Sequence, residues 1–330
     1  MLSLPPALFL VLLELTVGSF VSLYFLDVRG GTSRGFVLFQ GALYFIFALL
    51  TVLAMNAFAS PAIVHGRGLD ETWLNAQGPL VAAFLLLMIP WNVLLWFDRQ
   101  PRPARGKAAR EAAAQPPTRL RLARFVAGAL TALTGVTALF VVGMAYRTLA
   151  NSRLDGAFVV ATFLTGGVAL GGVMTAMLLG HWYLNTPTAS GKPLEFATII
   201  MLAALALELA FSLAIGPSTA HTTLKTINVS PGTQITTGDS GVVISTPTLA
   251  PGQTAPATTE QVREAPLSTG AMLGLQIIMG LLAPLILGGV ALWLTRGRSF
   301  QSATGMLYLA VSFIFIGEIL GRGLLLLPIF

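Results

Sequence analysis

The chain is predicted to be an all-α, polytopic integral membrane protein, a bundle of eight transmembrane helices with both termini outside. Three observations predict this. Hydrophobic residues make up 55% of the 330 positions and charged residues only 10%, where a soluble domain carries about 25% charged residues. Mean hydropathy is +0.80. Apolar runs of the roughly 20 residues that a bilayer needs recur eight times, without strand-like alternation.

The first run, 5–26, follows MLSLPP with no Lys or Arg ahead of it. A cleaved signal peptide begins with a basic segment, so this run reads as a retained helix that starts outside. Runs at 36–58 and 76–97 complete a three-helix unit over 1–97, and Pro90 is expected to kink the third helix. The linker 98–121, DRQPRPARGKAAREAAAQPPTRLR, is basic and punctuated by proline. It reads as a cytoplasmic loop lying on anionic headgroups or as a dock for a partner. Helices four to six follow within 122–216, at 122–146, 156–183 and 194–216. Residues 217–268 form a long extracytoplasmic loop rich in Thr, Ser, Pro and Gly. Its β-branched runs, Thr222–Val229 and Gly241–Ser245, and turn signals at Ser230-Pro231-Gly232 and Gly238-Asp239 suit a small hairpin. Helices seven and eight, at 269–294 and 302–327, fill 269–330, with a kink expected at Pro284.

Basic residues orient the bundle. Arg29, Arg34, the run from Arg99 to Arg124, Lys192, Arg296 and Arg298 fall on one side, which is therefore the cytoplasmic one. The other side receives Arg67, Arg147, Arg153, Lys225 and Arg263. Arg322 is left inside the membrane.

Composition also excludes chemistry. Cys is absent, which removes disulfides, thiolate metal sites, cysteine nucleophiles and any iron–sulfur cluster held by this chain. Of the three histidines, His65 and His221 are assigned to the outer side and His181 to the inner end of the fifth helix, so a haem held between two of them is not expected. Trp182 and Tyr183 beside it read as interfacial belt residues. No basic stripe interleaved with aromatics points to nucleic acid. No HExxH, GxSxG or phosphate-cradling loop occurs, and no catalytic or metal-binding residue is expected.

The informative residues are polar groups inside apolar runs. Glu318 and Arg322, in Gly317-Glu318-Ile319-Leu320-Gly321-Arg322-Gly323, stand four residues apart and share one helix face. Neither ion tolerates hydrocarbon alone, so they should pair and point inward, while glycines let a neighbouring helix approach. Glu14 and Glu208 have no cation nearby in sequence and are expected as neutral carboxyl groups. Counted from the outer ends of their helices, Glu14, Glu208 and Glu318 lie at similar depths, roughly 12–13 Å. The spacing does not fix whether their faces converge. Gly167 and Gly171 form a GxxxG pair suited to close helix contact. The 59–74 connection collects His65, Arg67, Asp70, Glu71 and Trp73 on the same side as these carboxyl groups. It reads as a solvated loop or as the mouth of a proton path.

The last helix, Gly317 to Gly323, resembles that of the membrane-anchor subunits of the dimethyl sulfoxide reductase family. Leu13–Phe20 and the glycine-rich Thr162–Gly172 resemble the first and fifth helices of that family and of the related polysulfide and nitrite reductase anchors. The resemblance implies a membrane anchor that binds menaquinol through Glu318, Arg322, Glu14, Glu208 and His65. It further implies electron transfer to an extrinsic iron–sulfur subunit beside a molybdopterin subunit, in the cytoplasmic membrane. Two other readings stay open: a proton-coupled transporter of a small solute, and a structural membrane protein whose buried carboxyl groups only hold helices together.

Overall fold

The computed structural model describes residues 4–57, 63–64, 67–98, 118–150, 153–186, 189–215, 234–238, 241–245 and 269–326. Among these described residues, eight helices are long and apolar enough to cross a membrane. They are α1 (Leu4–Arg29), α2 (Arg34–Ala57), α3 (Glu71–Phe97), α4 (Arg119–Tyr146), α5 (Arg153–Asn185), α6 (Lys192–Ile215), α7 and α8 (Phe300–Leu326). Helix α7 runs through three segments, Thr269–Leu275, Gln276–Leu282 and Ala283–Arg296. Two short strand pairs accompany them: β1 (Ile63–Val64) with β2 (Arg67–Gly68), and β3 (Gln234–Gly238) with β4 (Gly241–Ser245). The second pair uses the turn expected at Gly238-Asp239 and the expected run Gly241–Ser245, but its other strand is Gln234–Gly238, with Gly238 opposite Gly241. The run Thr222–Val229 lies outside the described residues.

Helix ends depart from the hydropathy windows where polar caps act. Helix α3 begins at Glu71, five residues ahead of the apolar run, because the Asp70 carboxylate accepts a hydrogen bond from the Thr72 N–H at 3.2 Å. The Thr118 hydroxyl accepts from the Arg121 N–H at 3.3 Å and draws the end of the basic linker into α4. Such a cap is worth about 1 kcal/mol. In α7, the expected kink takes a specific form. Pro284 has no N–H to offer the carbonyl of Gly280, and the backbone widens into a π-helical stretch over Gln276–Leu282. Pro90 lies within an uninterrupted α3.

Helix α1 is the most enclosed of the eight and packs against α2, α4, α5 and α8. Its closest neighbour is α5. A Cβ on Gly18 would overlap the Gly167 carbonyl, and one on Gly171 would overlap the backbone of Gly18 and Ser19. The expected GxxxG pair thus seats α5 on α1 backbone to backbone. Gly317 of α8 meets Gly280 of the π stretch in the same way.

Outward side chains are large and apolar, with Ile286 68% and Trp293 74% exposed, a girdle that acyl chains cover. This is a multi-pass membrane protein. Tyr183 departs from the belt reading. It is turned inward, with its hydroxyl donating to the Ser190 carbonyl at 2.8 Å, which closes the α5–α6 connection. Trp182 packs edge-on against Phe36.

A buried ionic group ties three helices together where α1 and α3 end. Arg124, 1% exposed, reaches Asp98 at 2.8 Å and Asp27 at 3.3 Å. The sequence reading counts Arg124, near the start of the fourth run, among the cytoplasmic basic residues. Its side chain turns inward instead, beside the last turns of α1 and α3 that carry Asp27 and Asp98.

Candidate functional site

Four helices meet at a second polar group, whose members all lie near one end of the bundle. Glu14 stands one turn before Gly18 on α1, so the tight α1–α5 crossing presses it against α5. Gly167 sits so close that a Cβ there would be 3.5 Å from the Glu14 carbonyl. From α5, Thr162 and Phe163 face the same space, with Gly166 one turn on from Thr162. Helix α8 brings Glu318 and Arg322, and α6 brings Glu208. The start of α1, the start of α5, the end of α6 and the end of α8 therefore share one side of the bundle.

Arg322 is the centre. Its Nη2 is 2.5 Å from Glu14 Oε1 and 3.3 Å from Glu318 Oε2. Nη2 also donates to the Thr162 carbonyl at 3.0 Å and Nη1 to the Thr162 hydroxyl at 3.3 Å. The guanidinium carbon lies 4.1 Å above the Phe163 ring, a cation–π contact strengthened by the absence of water. Gly166 leaves the space that these groups fill. A Cβ there would come within 2.8 Å of Glu318 Oε1 and 2.9 Å of Arg322 Nη2. All four ionisable groups are buried: Glu14 is 0%, Glu208 3%, Glu318 5% and Arg322 5% exposed.

Glu208 stands differently. Its carboxyl group lies against that of Glu318, and no donor among the described residues reaches its Oε2. Glu14 Oε2 and Arg322 Nε also lack a hydrogen-bond partner. Gln276, at the start of the π stretch, comes up against Gly321, next to Arg322.

Of the residues singled out from sequence, Glu14, Glu208, Glu318 and Arg322 come together, and the faces left open by the spacing converge. Glu14, which has no cation nearby in sequence, meets one in space: Arg322 is nearer to Glu14 than to Glu318, because the glycine crossing delivers α1 to it. His65 lies outside the described residues. In the same connection, Asp70 caps α3 and pairs with Arg147 at 3.6 Å, and Trp73 packs edge-on against Phe140. His181 sits apart from the group, with its Nδ1 3.1 Å from the Tyr308 hydroxyl.

Thr162, Phe163 and Gly166 are site residues that polar-residue reasoning does not select. Their signal was the small and polar spacing of the fifth helix, Thr162 four before Gly166. Replacing Thr162 with Val keeps the shape and removes one acceptor from Arg322. The thermal midpoint in detergent should fall by the equivalent of about 1–2 kcal/mol. The same change made in an Arg322→Met background should have no further effect.

A cleft of about 650 Å³ opens where α4 and α5 meet at this end of the bundle, lined by Met144, Arg147, Thr148, Ala150, Gly156, Ala157 and Val160. Its wall at Val160 is one helical turn from Phe163. Tyr146, beside Arg147, packs on that ring at 5.9 Å.

No family model, curated protein or solved structure matches this chain.

Proposed function

We propose that the chain is the membrane-anchor subunit of a multisubunit oxidoreductase that binds menaquinol. The binding site lies in the half of the cytoplasmic membrane that the Lys and Arg distribution assigns to the outside. The observation that carries this reading is the Arg322 guanidinium, spanning Glu14 and Glu318 on the helix that resembles the reductase anchors. The residues fit such a ligand. Arg322 Nε is an unused donor and Glu14 Oε2 an unused acceptor, matched to a quinone carbonyl and a quinol hydroxyl respectively. Phe163 supplies a ring wall beside the guanidinium. A bound quinol supplies two electrons and two protons on oxidation. In such an assembly the electrons would go to an extrinsic iron–sulfur partner beside a molybdopterin subunit, and Glu14, Glu208 and Glu318, three carboxyl groups to one guanidinium, would supply the proton acceptors.

The test is binding of a menaquinol analogue to the purified chain in lipid nanodiscs. Glu318→Gln and Arg322→Leu should each weaken binding about tenfold or more. Unchanged affinity in both variants removes the reading. Copurification of an iron–sulfur subunit from cells expressing the tagged chain tests the assembly.

One observation favours a second reading, proton-coupled transport of a small solute. The π stretch of α7 interrupts regular helix beside Gly317 and Gly321, and interrupted helices border the binding sites of many transporters. Solute uptake into proteoliposomes driven by a pH gradient supports it, and its absence with intact quinol binding decides for the anchor.

A further inference from the structure

We propose that Glu208 and Glu318 share one exchangeable proton and form a proton-binding dyad inside the membrane, while Glu14 is the standing counter-ion of Arg322. The inference goes beyond quinol binding and holds whether or not a quinol occupies the site.

It rests on which atoms meet. Arg322 commits Nη2 to Glu14 Oε1 at 2.5 Å and to Glu318 Oε2 at 3.3 Å, and its remaining hydrogen bonds go to Thr162. Glu14 therefore has a cation at contact distance. Glu208, 97% buried by its 3% exposure, faces the Glu318 carboxyl group and has an Oε2 that no donor reaches. Two ionised carboxylates are acceptors only and repel. A carboxyl group in contact with a carboxylate is stable when one proton lies between them, because that proton turns the contact into a charge-assisted hydrogen bond.

The surroundings leave the proton on this pair. The charged groups facing it are Glu14 from α1 and Arg322 from α8. Helix α5 turns Thr162, Phe163 and Gly166 toward it, and α7 brings Gln276 to Gly321. Of the two acids, Glu318 has Arg322 at 3.3 Å, and Glu208 forms no ion pair with any cation among the described residues. The proton therefore resides on Glu208, which accepts it from water by forming an O–H bond and releases it by breaking that bond. No electron moves in either step.

Infrared spectroscopy of the full chain in lipid nanodiscs at neutral pH tests the inference. The wild-type protein should show a protonated-carboxyl stretching band that shifts on labelling with 13C-glutamate and again on exchange into D2O. Glu208→Gln should abolish it. Glu14→Gln should retain it, because Arg322 then serves Glu318 alone and Glu208 keeps its proton. Three results overturn the inference: a wild-type protein without a 13C-glutamate-sensitive band, a band unmoved by D2O, or a band that survives Glu208→Gln. If Glu208→Gln does not fold, Glu208→Asp takes its place: it should keep a protonated-carboxyl band that no longer shifts with 13C-glutamate, and a band that still shifts overturns the inference.

Discussion

Arg322→Met should lower stability by about 3–5 kcal/mol, the usual cost of removing one partner from a buried ion pair. The effect is large because the guanidinium has four partners at once. Without it, Glu14, 0% exposed, loses its cation in a buried site, and the Phe163 ring loses its neighbour 4.1 Å away. The measurement is the thermal unfolding midpoint in detergent. The decisive comparison is the double variant Arg322→Met with Glu14→Gln, which should regain part of the loss, since the orphaned charge is removed together with its partner. A double variant as unstable as the sum of the two single ones shows that the two groups are not coupled. Arg322→Lys should fall between, because an ammonium is a point charge that cannot reach Glu14, Glu318 and both Thr162 oxygens from one position.

Gly171→Leu is expected to be the other severe change. Adding methylenes to a packed core costs about 1–3 kcal/mol, and here the clash is with the backbone of Gly18 and Ser19, which cannot rotate away. The α1–α5 contact must open, and Glu14, one turn from Gly18, moves off Arg322 with it. The variant should therefore lose stability and menaquinol-analogue binding together. Gly289→Leu is the matched control. A Cβ there meets no atom within 4 Å, so the midpoint should stay within about 0.5 kcal/mol of wild type. Equal behaviour of the two variants would show that α1 and α5 are not held together at Gly18.

The two polar groups show how far a sequence carries such a site. Glu318 and Arg322 are four apart on one helix, so their shared face follows from helix geometry alone. That Arg322 lies closest to Glu14 does not follow, because the two are separated by most of the chain and meet only through the crossing at Gly18, Gly167 and Gly171. Arg124 is the sharper case. By charge count it belongs with the cytoplasmic basic residues, and its burial against Asp27 and Asp98 depends on two helix ends arriving at the level of the first turns of α4. A hydropathy window does not register that arrangement.

Taken alone, the sequence determined the eight membrane spans, the intramembrane charge of the last helix and the Gly167–Gly171 pair suited to close contact. Hydrocarbon allows few ways to satisfy a backbone, so an apolar run of sufficient length can only be a helix. The tertiary structure alone decided the partners: Arg322 for Glu14, Glu208 for Glu318, and a π stretch rather than a simple bend at Pro284. Pairings between helices depend on how far each is turned about its axis, and that rotation is set by the side chains and glycines of its neighbours.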